Sequence, residues 1–130
     1  MIRLGMIGCG GMGAMHAPEL HALEQINITV CCDLLEDRAK AAAEACQAQW
    51  CTDYREVLDK VDAVWICTEP FNRVQIVTDA AAAGKHVFTE KPLALNLDDA
   101  DRMTSAARQA GVVYMLGYCL RYWQPYKLMR

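Results

Sequence analysis

Near the N-terminus, Gly8-Cys9-Gly10-Gly11-Met12-Gly13 matches the pattern G-x-G-x-x-G. Between a strand and a helix, such a turn presents backbone amides to an anion. Gly8 permits the tight turn, Gly10 lets the backbone approach a pyrophosphate with no Cβ in the way, and Gly13 lets the helix lie close on the strand. The helix start adds unpaired N–H groups and a partial positive charge. Asp33 ends the second apolar run, where a carboxylate can accept hydrogen bonds from both ribose hydroxyls of an NAD adenosine. The competing reading gives Asp33 only the task of opening a helix. A carboxylate there repels a 2′-phosphate, and no Arg or Lys directly follows it. The nearest cation, Arg38, stands about a helical turn further on, with Glu36 and Asp37 available to partner it. NAD is the expected dinucleotide, with NADP possible.

A second chemical feature is the run Gly84-Lys85-His86-Val87-Phe88-Thr89-Glu90-Lys91-Pro92. It places Glu90 and Lys91 directly after a strand pattern. In open α/β sheets ligands lie outside the carboxyl ends of the strands. An ammonium there can hydrogen-bond a substrate hydroxyl and favour its deprotonation as hydride leaves. A strand-ending Lys alone is ordinarily solvated; Pro92 rigidifies this turn and is compatible with a cis bond. His16 reads as a helix-surface or packing residue, His21 as a favourable charge at a helix C-terminus, and His86 as structural. Met6, Met12 and Met15 read as core fill.

These residues must be positioned by alternating strands and helices. Ile2–Ile7 is a short apolar run, followed by a helix from about Gly11 to Leu23, a β-branched run Ile28–Cys32 and a helix Leu35–Cys46. Ala48–Cys51 is a weak strand. Asp53 with Glu56 forms a capping-box pattern for a short helix to Leu58. Ala63–Cys67 is strand-like, Val74, Val77 and Ala81 repeat at helical spacing, and Gly84 stops that helix. His86–Thr89 is a strand, Asn96 an N-cap for a helix to Ala110, and Val112–Leu116 the last strand. Strands separated by helices imply βαβ units. The expected fold is a single α/β domain, a doubly wound, parallel six-stranded sheet of Rossmann type. The apolar strands suit a sheet covered on both faces.

The chain has 130 residues, 54% of them hydrophobic, and a net charge of −3, which suits one core and excludes disorder. No basic stripe for nucleic acid is visible. The run Val112–Leu120 is far short of the roughly 20 residues that span a bilayer. Met6–Cys9 mimics a lipoprotein cleavage site, but the preceding apolar stretch is too short. The seven cysteines are odd in number and lack a C-x-x-C pair; they fit small hydrophobes in a reducing cytoplasm better than a zinc site, so no metal site is expected. Residues 1–120 are expected to form a dinucleotide-binding domain. Residues 121–130 are expected to begin a second domain that is missing or truncated, with Pro125 in the first turn of a helix. Tyr114, Tyr118, Tyr122, Trp123 and Tyr126 form a base-stacking platform or, in preference, a docking seam; if the domain stands alone, self-association through Tyr118–Trp123 is expected.

Taken together, Gly8–Gly13, Asp33 with Arg38 and Ala39, Thr52-Asp53-Tyr54, Ala83–Val87, Glu90-Lys91-Pro92 and Gly117 with Arg121-Tyr122-Trp123 resemble the N-terminal half of the glucose–fructose oxidoreductase / inositol dehydrogenase / rhizopine-catabolism (Gfo/Idh/MocA) family. The resemblance covers essentially the whole chain and implies an NAD(P)-dependent dehydrogenase acting on a sugar, cyclitol or related polyol. It implies that Lys91 contacts the reacting hydroxyl and the nicotinamide region and that Glu90 holds the turn. Thr68 then lines the dinucleotide groove beside Glu69, and Arg121 stands near the mouth of the active site. Two departures stand out: Glu69 precedes Pro70 where the family has Thr, and Arg73 stands where it has His. The resemblance further implies a second domain that covers the nicotinamide and supplies the substrate contacts, and that half is not expected within residues 1–130. Two readings follow, the cofactor half of a dehydrogenase and a dinucleotide-binding module without turnover. A SAM-dependent methyltransferase offers no reason for Glu-Lys-Pro.

Overall fold

The computed structural model describes residues 1–128. The strands are β1 (Ile2–Ile7), β2 (Ile26–Cys32), β3 (Gln49–Cys51), β4 (Ala63–Ile66), β5 (His86–Thr89) and β6 (Tyr114–Leu116). The helices are α1 (Gly11–His21), α2 (Glu36–Cys46), α3 (Arg55–Leu58), α4 (Pro70–Ala82), α5 (Leu97–Ala110) and α6 (Gln124–Leu128), with a 3₁₀ turn at Cys119–Tyr122. All strand pairs are parallel, in the order β3-β2-β1-β4-β5-β6. Both halves wind outward from β1 and β4, which brings every strand's carboxyl end to one edge.

The weak strand before Cys51 is present as β3. Asn96 caps α5 by accepting the Asp99 amide at 2.8 Å, and Gly84 takes the positive φ that stops α4. The capping box at α3 does not form. The Asp53 carboxylate is turned onto the Arg55 amide and guanidinium instead. Pro125 is the second residue of α6. Of the tail expected to open a second domain, Met129 and Arg130 lie outside the described residues.

Two apolar clusters sandwich the sheet. Leu4, Met6, Ile28 and Cys31 pack against Ala17 and Leu20 of α1 and Ala42, Ala43 and Cys46 of α2. Val30, Val64, Ile66 and Val87 pack against Val57 of α3, Val74 and Val77 of α4 and Met103 of α5. Each fully buried aliphatic side chain contributes about 1.5–3 kcal/mol. The expectation of a sheet covered on both faces holds for only half of it. Trp65, Phe88 and Met115 are register partners across β4, β5 and β6, and they face away from the second cluster. There α1 and α2 cover β1–β3 and reach β4 at Ala63 and Trp65, but not β5 and β6, because both crossovers that would cover those strands run on the other side. Trp65 stacks on Phe88 at 3.7 Å between centroids, beside a cavity of about 600 Å³.

That geometry corrects two residue readings. Met6 is fully buried, but Met12 and Met15 on α1 are 41% and 51% exposed, so they are not core fill. Tyr114 belongs to the opposite face, with its hydroxyl 3.2 Å from Thr89 Oγ1, apart from Tyr118, Tyr122, Trp123 and Tyr126. Among the described residues no helix is long and apolar enough to cross a membrane.

Candidate functional site

The glycine turn leaves the centre of the sheet where β1 ends. Gly8 has φ +91°, and a Cβ on it would lie 2.8 Å from the Cys67 carbonyl carbon. A Cβ on Gly13 would lie 2.0 Å from the Gly8 carbonyl oxygen, so α1 is pressed directly onto the turn. Gly10 and Gly11 are the opposite case. A Cβ on Gly11 would meet nothing within 4 Å, and one on Gly10 only Arg38 Nη1 at 3.5 Å. No side chain caps α1, and its first amides have no acceptor within the helix. The result is an open cradle of donors.

Beside it lies a cavity of about 670 Å³ lined by Gly10, Met12, Asp33, Arg38, Thr68 and Glu69 among others. Asp33 Oδ2 accepts the Cys9 amide at 2.8 Å and Oδ1 accepts the Leu35 amide at 2.9 Å. The carboxylate thus pins the glycine turn to the end of β2 and keeps spare lone pairs on both oxygens. Of the two partners expected for Arg38, Glu36 pairs with Lys40 instead, and Asp37 makes no ion pair with it among the described residues. Arg38 instead reaches over the glycine turn. Thr68 Oγ1 is buried with no hydrogen-bond partner, an orphan at the cavity wall. Glu69 N-caps α4 through its backbone without a side-chain cap bond.

Glu90 and Lys91 follow β5 along the second cavity, on the far side of Met12, which lines both. His16 Nε2 is 2.9 Å from Glu90 Oε1, with side-chain exposures of 19% and 12%. A Cβ on Gly117 would lie 3.2 Å from Glu90 Oε2. The carboxylate is therefore wedged between α1 and the end of β6, away from the glycine cradle. Lys91 is exposed, and the Lys91–Pro92 bond is cis. His86 is structural, its Nδ1 accepting the Val113 amide at 3.1 Å.

Cys9, Gly13 and Arg121 stand outside the lining of both cavities. Cys9 offers only its backbone, since its thiol turns inward toward the Cys32 carbonyl at 3.4 Å. Gly13 lines neither cavity and acts through packing. Arg121 lies on the exposed 3₁₀ turn, its guanidinium carbon 5.8 Å from the Tyr118 ring centroid, and lines neither cavity. The cysteines near the site are poor nucleophiles: burial, with Glu90 nearby, pushes the Cys67 thiol up to about 12. The neighbouring Cys31 thiol and burial raise Cys9 beyond the usual thiol range.

Sequence reasoning missed two roles. His16 packs on Trp65 at 5.4 Å between centroids while holding Glu90. Arg73 is 2% exposed, and its guanidinium binds the carbonyls of Thr68, Glu90 and Pro92. The available signal was its spacing: Arg73 shares a helix face with Val77, Ala80 and Ala81, all buried.

Fold order, glycine turn and strand-ending acid together define a Rossmann-type α/β domain. Residues 2–118 match the Gfo/Idh/MocA oxidoreductase family, NAD-binding Rossmann fold, and the chain belongs to that family. It is 33% identical over 132 residues to a myo-inositol 2-dehydrogenase of Thermotoga maritima, covering 99% of this chain and 40% of that protein. A solved structure of a probable dehydrogenase from Thermotoga maritima superposes with a TM-score of 0.90 at 34% identity, over 98% of this chain and 39% of the other. A 3-ketoreductase from Actinomadura kijaniata, solved with NADP and TDP-benzene, gives 0.91 at 29% identity over 98% and 40%. The chain spans about two-fifths of the length of these relatives.

Proposed function

We propose that the chain binds a nicotinamide dinucleotide across the carboxyl edge of its sheet, NAD in preference to NADP, as the cofactor half of an oxidoreductase acting on a sugar, cyclitol or related polyol. The observation that carries this is the open cradle at Gly10 and Gly11 beside Asp33. The residues fit the group: free helix-start amides and Arg38 for the pyrophosphate, spare Asp33 lone pairs for the ribose, and the orphaned Thr68 hydroxyl further along. When bound, the nicotinamide supplies hydride transfer. The chain's own part is to hold and orient it, and in this reading Lys91 donates a hydrogen bond to a substrate oxygen, supported by a Glu90 that His16 holds. Met12 marks the boundary along which the two cavities meet.

The preference for NAD rests on Asp33, whose charge meets a 2′-phosphate unfavourably. Arg38, drawn to the glycine turn, offsets this only in part. Residues 1–120 are the dinucleotide-binding domain in this reading, and residues 121–130 lead toward a substrate-side domain. The substrate contacts of the longer relatives are then supplied beyond this chain, so the second reading, binding without turnover by these residues alone, stays attached to the first. Five buried cysteines favour a reducing, cytoplasmic setting. The bare Trp65–Phe88–Met115 face and the exposed Tyr118–Trp123 turn favour self-association of the isolated chain. Calorimetry with NADH, NADPH and ADP-ribose tests the proposal: NADH is expected to bind at least about tenfold more tightly than NADPH, a difference of about 1.4 kcal/mol. Equal affinities overturn the preference, and no binding overturns the function.

A further inference from the structure

We infer that Arg73 is a positioning residue that ties the loop after β4 to the turn after β5, and so sets where Lys91 stands relative to a dinucleotide lying against Thr68. The inference rests on the dinucleotide reading above. Arg73 lies near the start of α4 with its side chain directed under the carboxyl edge of the sheet. Nη1 donates to the Glu90 and Pro92 carbonyls, and Nη2 donates to the Thr68 carbonyl at 2.8 Å. Thr68 follows β4 and lines the glycine-turn cavity, whereas Glu90 and Pro92 bracket Lys91 in the sequence. One planar, rigid fork therefore spans both halves of the candidate site.

A packing role alone does not account for this group. Among the described residues Arg73 makes no ion pair, and its Nε has no partner. A buried cation without a counter-ion is costly, and an aliphatic residue on the same face as Val77 and Ala80 would avoid that cost. What the guanidinium uniquely supplies is several donors in fixed geometry, aimed at carbonyls outside the sheet ladder. A lysine in its place has a single nitrogen on a flexible stem and cannot hold both loops in one plane. The group touches neither expected ligand; it acts through the backbone on either side of Lys91.

The test compares the 130-residue wild-type chain with Arg73→Lys and Arg73→Met, reading amide hydrogen exchange by mass spectrometry and the binding of NADH and ADP-ribose by calorimetry. Loss of the fork is expected to speed exchange about tenfold in both loops together, around Cys67–Asn72 and Glu90–Leu95, with the glycine turn changed less than about twofold. NADH is expected to weaken about tenfold, the scale of a lost charge-assisted hydrogen bond. ADP-ribose lacks the nicotinamide and should change by less than about twofold. Arg73→Lys keeps the charge and should recover only part of the NADH loss, and it carries the comparison if Arg73→Met does not fold. Loosening of one loop alone, faster exchange throughout the domain, or equal weakening of NADH and ADP-ribose overturns the positioning role. A wild-type chain that binds neither nucleotide overturns the dinucleotide reading instead, and the exchange pattern then decides whether Arg73 couples the loops.

Discussion

Gly13→Ala and Gly10→Ala separate the two tasks of the glycine turn. At Gly13 the added Cβ would stand 2.0 Å from the Gly8 carbonyl oxygen and 3.0 Å from its carbon. An ordinary carbon–oxygen contact is more than an ångström longer, and both atoms are backbone, so α1 must lift off the turn. Overpacking of this kind costs about 1–3 kcal/mol, and the displaced helix also pulls its first amides from the cradle. At Gly10, where φ is −69°, the Cβ meets only Arg38 Nη1 at 3.5 Å, an ordinary contact, so folding changes by less than about 1 kcal/mol. The same methyl stands where the backbone approaches a pyrophosphate. Urea unfolding without nucleotide is expected to show Gly13→Ala less stable by about 1–3 kcal/mol, a fall in melting temperature of several degrees. Gly10→Ala should stay within about 1 kcal/mol of wild type. Calorimetry with NADH is expected to show both variants weakened. An unchanged urea midpoint for Gly13→Ala refutes the packing argument, and full NADH affinity in Gly10→Ala refutes the cradle.

Asp33→Asn removes the charge while keeping one acceptor oxygen for the turn. It is expected to weaken NADH at least about tenfold and narrow the gap to NADPH, as measured by calorimetry. His16→Ala leaves the Glu90 carboxylate unpartnered in a site where it is only 12% exposed. A loss of about 1–3 kcal/mol in urea unfolding is expected, with Gln at position 16 restoring part of it. The acidic hydrogens of Cys67 and Tyr54 are held on to about 12, Cys67 by burial and Glu90, Tyr54 by burial and its 2.6 Å bond to Asp79. Their unfolded values are near 9 and 10, so the native chain binds more protons between those values and 12. Stability is therefore fully present below about pH 9 and should fall as pH rises toward 12. Melting curves across that range should flatten in Cys67→Ala; an unchanged slope contradicts the assignment.

The sheet was legible because its signals are local. Val and Ile runs, Gly84 at a helix stop and Asn96 at a helix start each carry their own stereochemistry. The glycine turn and Asp33 were legible for the same reason, since spacing and strand context fix where their backbone must go. What escaped was contact between segments distant in the chain. His16 and Glu90 are joined only once α1 and β5 lie at the same sheet edge, and neither residue's neighbours announce it. Arg73 interrupts an apolar helix face, yet its carbonyl partners come from two loops whose proximity is a product of strand order. The part-open face at Trp65, Phe88 and Met115 was hidden because an unbroken apolar run reports that a strand is apolar on both sides, not that a helix crosses there. Arg121 was assigned by resemblance alone; it sits on the exposed 3₁₀ turn between Tyr118 and Tyr122, which line the second cavity while its own side chain does not.

The central claim is that backbone amides of the first turn hold a dinucleotide's pyrophosphate while Asp33 holds its ribose. An amide NMR titration of the 130-residue chain with NADH tests it most directly. Saturable shifts at Gly10, Gly11, Met12 and the Leu34–Leu35 segment, abolished by Gly10→Ala, are the expected result. Shifts confined to the Trp65–Phe88 face, or none at millimolar NADH, contradict it.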